Sequence, residues 1–72
     1  MSRREMLKDM ELALVNLVAH EAEAEDRVDI QAAVARFFQD EVVHYSEAQL
    51  AERFPTPEAL VRRFSEFMKR SG

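Results

Sequence analysis

Glycine occurs once in this chain, at Gly72, its last residue. Two-residue hairpins, glycine-rich phosphate loops and dinucleotide fingerprints need residues at positive φ, the conformation glycine adopts at least cost. Without them, helices joined by turns of ordinary residues are the natural way to close a core. The expectation is a small all-α, four-helix domain spanning residues 1–72, with a long N-terminal helix and a capped C-terminal hairpin. A chain of 72 residues is one domain's worth. At that size only about 60% of the extended surface is buried, so the core is thin. The absence of cysteine removes disulfides, a thiolate nucleophile and cysteine-ligated zinc.

The apolar spacing divides the chain. Leu7, Met10, Leu14 and Leu17 recur at helical intervals, widened by Met6, Val15 and Val18. Good helix formers continue to about Glu25, so the spacing predicts a first helix from Arg3 to about Glu25, about 33 Å long at 1.5 Å per residue. Leu12 falls off the stripe. Asp26 or Asp29 is the expected N-cap of a second helix, whose apolar face is Ile30, Ala33, Val34, Phe37 and Phe38. Glu41 would interrupt that face. Either the helix stops near Asp40 or Glu41 finds a partner; the boundary is set at about residue 43, where Val42 and Val43 disfavour continuation.

The C-terminal half carries firmer punctuation. Ser46 and Gln49 form an S-x-x-Q capping box, with Tyr45 and Leu50 at the hydrophobic-staple positions. A third helix runs from about Glu47 to Phe54, stopped by Pro55. Thr56 caps a fourth helix and Pro57 opens it, where a missing amide hydrogen costs nothing. Its stripe is Leu60, Val61, Phe64, Phe67 and Met68.

These last two helices have a helix-turn-helix pattern, with Leu50, Phe54, Val61 and Phe64 at the apolar positions and Ala51 at the small one. Pro55 stands where the turn usually has glycine. The outer face of the fourth helix holds Arg62, Arg63, Lys69 and Arg70, which could meet phosphates. Its first turn, however, offers Thr56, Glu58 and Ala59, with no Arg, Asn or Gln to read a base edge. Glu58–Arg62 and Glu66–Arg70 are i, i+4 pairs that any solvated helix favours. The formal net charge of −4 also works against nucleic acid. Residues 45–72 alone are net +1, against −5 for residues 1–44.

No constellation marks an enzyme. Glu21, Glu23, Glu25, Asp26 and Asp29 read as a solvated helix end, since carboxylates on a helix diverge and hard cations need converging oxygens. His20 and His44 lie on different elements without metal-ligand spacing, and neither is expected to pair with Glu23 or Glu41 around a metal. Ser46 is committed as a cap. No cofactor, metal or catalytic residue is expected.

The remaining candidate is the first helix as an interface through Met6, Leu7, Met10, Leu14 and Leu17: Leu7, Met10, Leu14 and Leu17 form a two-heptad seam, and Met6, Leu12 and Val15 add apolar area. The leading expectation is a non-enzymatic adaptor or regulator acting through protein–protein contacts, self-associating as a homodimer. The alternative is a small helix-turn-helix transcriptional regulator using residues 47–70 on DNA. Apolar runs no longer than Leu12–Val15 exclude a spanning helix, and the charged start of the chain lacks a signal-peptide core, so a cytoplasmic protein without membrane partners is expected.

Overall fold

The computed structural model describes residues 2–20 and 22–71, the side chain of Ser71 excepted. Four helices follow one another: α1 (Arg3–Val18), α2 (Ala24–Asp40), α3 (Glu47–Arg53) and α4 (Pro57–Ser71), with a 3-10 turn at Val42–His44 between α2 and α3. The described residues contain no strand, and none of their helices is long and apolar enough to cross a membrane. The expected all-α class is the one found.

The first helix is shorter than its spacing predicts. Ser2 caps it, its hydroxyl oxygen accepting from the Glu5 amide at 3.2 Å. The helix ends at Val18, so it is about 24 Å long rather than about 33 Å. Residues 24–26 belong to α2 instead, and the macrodipole supplies the reason. Carboxylates disfavour a helix C-terminus and favour an N-terminus, and Glu25 and Asp26 lie in the first turn of α2. Glu23, in extended conformation, is the N-cap, without a side-chain capping bond. Asp26 and Asp29, expected as caps, therefore lie inside the helix. Glu21 lies outside the described residues.

At its other end α2 stops at Asp40, and the chain tightens into the 3-10 turn. Glu41 meets both halves of the expectation, since the helix ends before it and it also has partners, described below. The capping box of α3 forms in full: the Gln49 amide donates to Ser46 Oγ at 3.2 Å, and the Ser46 amide to Gln49 Oε1 at 3.0 Å. Ser46→Ala should cost about 1 kcal/mol and lower the melting temperature by roughly 4–8 °C, checked by thermal circular dichroism. Phe54 closes α3 at φ −126°, ψ 63°, outside the helical region that Pro55 denies it. The Thr56 carbonyl accepts from Ala59 at 3.1 Å as α4 begins.

All five elements feed one core. Leu14 comes from α1, Val34, Phe37 and Phe38 from α2, Val42 from the turn, Leu50 from α3, and Leu60, Phe64 and Phe67 from α4. Phe37 is its centre. Its ring lies 5.7, 5.6 and 5.4 Å from those of Phe38, Phe64 and Phe67, with tilted and edge-on geometries that suit the ring quadrupoles. Helix α1 packs on α2 and α4, and α2 also packs on α4 and on the turn. Helix α3 is anchored through the fully buried Leu50 and does not pack along α4.

One tie across the fold has no sequence signature. Arg3, at the start of α1, donates to the carbonyls of Val43 and Tyr45, the latter at 3.1 and 3.2 Å. The turn's own bonds use the carbonyls of Glu41 and Val42 as acceptors, and the guanidinium fork takes up those of Val43 and Tyr45.

Candidate functional site

The residues of the first candidate surface separate into three depths. Leu14 is 0% exposed, so it belongs to the core and offers nothing to a partner in this fold. Met6, Leu7 and Met10 are half-buried against the same core. Leu17 is 47% exposed, and Leu12, off the stripe, is 56% exposed. Leu12 and Val15 line a shallow groove with Lys8, Glu11 and Gln31, where α1 meets α2. Val28, one turn before Gln31, is also exposed. The outer margin of α1 thus carries apolar side chains that the core does not use.

The second candidate surface is the basic face of α4. Arg62 and Lys69 are exposed. Arg70 and Arg63 instead converge on Glu41, at 3.3 and 3.8 Å, and Arg63 also meets Glu66 at 3.4 Å. Glu41 is well shielded, its side chain only 19% exposed, so these contacts are less screened than a surface pair. The i, i+4 pairs Glu66–Arg70 and Glu58–Arg62 are not formed among the described residues; Arg70 turns to Glu41 instead. Ala51 is exposed, so the position that a helix-turn-helix reserves for a close helix crossing faces outward. The apolar positions Leu50 and Phe64 are buried, Phe54 and Val61 half-buried, because they serve the bundle core.

Beside this face lies a cavity of about 260 Å³ that the sequence does not signal. Tyr45, Arg53, Phe54, Ala59, Arg62, Arg63 and Glu66 line it. Tyr45 and Phe54 meet edge to face at 6.0 Å, and the Arg53 guanidinium sits 4.9 Å from the centre of the Tyr45 ring. His20 and His44 are both exposed on separate elements. The described residues contain no cluster of three or more His, Asp or Glu able to hold a metal.

No family model, no curated protein and no solved structure matches this chain.

Proposed function

We propose that this chain is a small non-enzymatic adaptor or regulatory protein of the cytoplasm, acting through protein–protein contacts and pairing with itself along the outer margin of α1. The observation that carries this reading is the pair of exposed leucines on that helix, Leu12 and Leu17. They stand on opposite flanks of the buried Leu14, about 160° and about 60° from it around the helix. Apolar area there exceeds what one small bundle covers.

A two-fold pairing would also suit the charges beside Leu12. Lys8 and Glu11 border the same groove, and an isologous contact sets each against its opposite on the other copy. A small domain without disulfides fits a reducing compartment. The DNA-binding alternative draws on Arg62 and Lys69 alone, since Glu41 engages Arg63 and Arg70. Its weight is smaller for that reason.

Light scattering at micromolar to hundred-micromolar concentration should give twice the chain mass for the wild type. The double variant Leu12→Asp, Leu17→Asp should give the chain mass with an unchanged helical signal. A wild type that stays monomeric throughout, with a melting temperature independent of concentration, overturns the pairing.

A further inference from the structure

The cavity between the α3 corner and α4 concentrates positive charge. Its lining holds three arginines and one glutamate, a local charge of +2 in a chain of formal charge −4. The single glutamate, Glu66, is already engaged by Arg63. Among the described residues, no carboxylate lies within ion-pair distance of Arg53 or Arg62. Arg53 and Arg62 therefore line the cavity without an ionic partner among the described residues, one at the end of α3 and one in the second turn of α4.

Other details of the lining support capture of a planar anion. Arg53 is held over the Tyr45 ring, which fixes its fork before a ligand arrives and lowers the entropy cost of binding. Ala59, one helical turn before Arg62 and Arg63, has only a methyl group, which leaves room between α4 and the Phe54 ring. The half-buried rings of Tyr45 and Phe54 make an apolar floor beside the charges. Planar forks with five donors match a carboxylate two bonds at a time.

We propose that this cavity binds an acidic segment of a partner protein, taking one Asp or Glu side chain onto Arg53 and Arg62 and a neighbouring apolar side chain onto Phe54. About 260 Å³ is smaller than the usual cofactor cavity but holds one or two side chains. A nucleic acid is the poorer occupant. Glu66 lies in the lining, Glu41 and Glu66 both engage Arg63, the net negative chain repels a long polyanion, and Arg53 already covers one face of Tyr45 that a base would stack on. The proposal rests on the reading of the chain as a protein-contact module, and it is independent of pairing along α1.

The test uses the full chain and a labelled, end-capped peptide, Glu-Asp-Phe-Glu-Ala, followed by fluorescence anisotropy at 50 and 200 mM salt. Its Gln-Asn-Phe-Gln-Ala counterpart, inorganic phosphate and a 20-base-pair duplex serve as competitors. The acidic peptide should bind saturably and several-fold more weakly at the higher salt, with the neutral peptide at least tenfold weaker. Arg62→Gln and Arg53→Gln, both at exposed positions, should each weaken binding at least fivefold while keeping the wild-type helical signal. Lys69→Gln, outside the cavity, should change it less than twofold. Absence of saturable binding, equal binding of the neutral peptide, stronger displacement by the duplex or by phosphate than by unlabelled acidic peptide, or insensitivity to both arginine variants would each overturn the proposal. Light scattering on the same samples separates these outcomes from those of the α1 pairing: a monomer that binds peptide loses only the pairing, and a dimer that does not bind loses only the cavity.

Discussion

Phe37→Ala should remove between about a quarter and all of the chain's stability. Phe37 is 0% exposed and touches three other phenylalanines, so truncation removes one ring from a four-ring cluster and opens a void among the rest. Phenylalanine-to-alanine changes in a core cost about 3–5 kcal/mol, part from lost transfer energy and part from the cavity. At roughly 0.05–0.15 kcal/mol per residue, a chain of this length has about 4–11 kcal/mol in total. The variant therefore loses about a quarter of its stability at the least, and at the upper limit all of it. Phe64→Ala, in a residue 7% exposed and 5.6 Å from Phe37, should fall in the same range. Urea unfolding followed by circular dichroism checks both. A Phe37→Ala protein with a midpoint close to the wild type would mean that the ring cluster does not support the fold.

The elements that local chemistry punctuates are legible in the sequence. Ser46, Gln49, Pro55 and Pro57 act within a few residues of themselves, so the start of α3, its end and the start of α4 follow from side-chain capping bonds and from proline geometry. The break between α1 and α2 was not legible in that way. Ala22, Glu23, Ala24 and Glu25 have similar propensity in either helix, and only the sign of the helix dipole assigns the acidic turn to the start of α2. Apolar stripes overstate burial for a related reason. Met68 and Leu17 continue their stripes in sequence, yet both are exposed, because a stripe records which face is apolar and not how far the neighbouring helix reaches.

The candidate sites depended on pairings that are distant in sequence. Glu41 interrupts an apolar face, which implies either an early helix end or a partner, without saying which partner. Folding brings it to Arg63 and Arg70, and this is what divides the α4 arginines into engaged and exposed. Arg53 over Tyr45, and Arg3 on the carbonyls of Val43 and Tyr45, join residues whose types carry no pattern at any fixed spacing. Bonds of this kind are set by the crossing of elements, so a single sequence does not display them.

Leu14→Ala discriminates between a leucine that holds the fold and one that holds a second chain. In sequence Leu14 stands in the same seam as Leu17, but it is fully buried between α2 and α4 whereas Leu17 is not. Its truncation should cost about 2–5 kcal/mol, with the exact value set by how far the core collapses into the gap. Because the loss arises within one chain, the ΔG deficit relative to wild type should be the same at 2 and 200 μM protein. Leu17→Ala should behave in the opposite way. In the isolated chain it should stay within about 0.5 kcal/mol of wild type, as exposed substitutions do. Its deficit should grow between 2 and 200 μM, because mass action adds more of the energy of pairing to the wild type at the higher concentration. Urea midpoints for the three proteins at both concentrations make the comparison, with unchanged m-values showing that the same surface is exposed on unfolding. If the Leu14→Ala deficit grew with concentration while Leu17→Ala stayed silent, Leu14 would lie between chains, and the arrangement of α1 against α2 and α4 would have to be that of a dimer rather than of one folded chain.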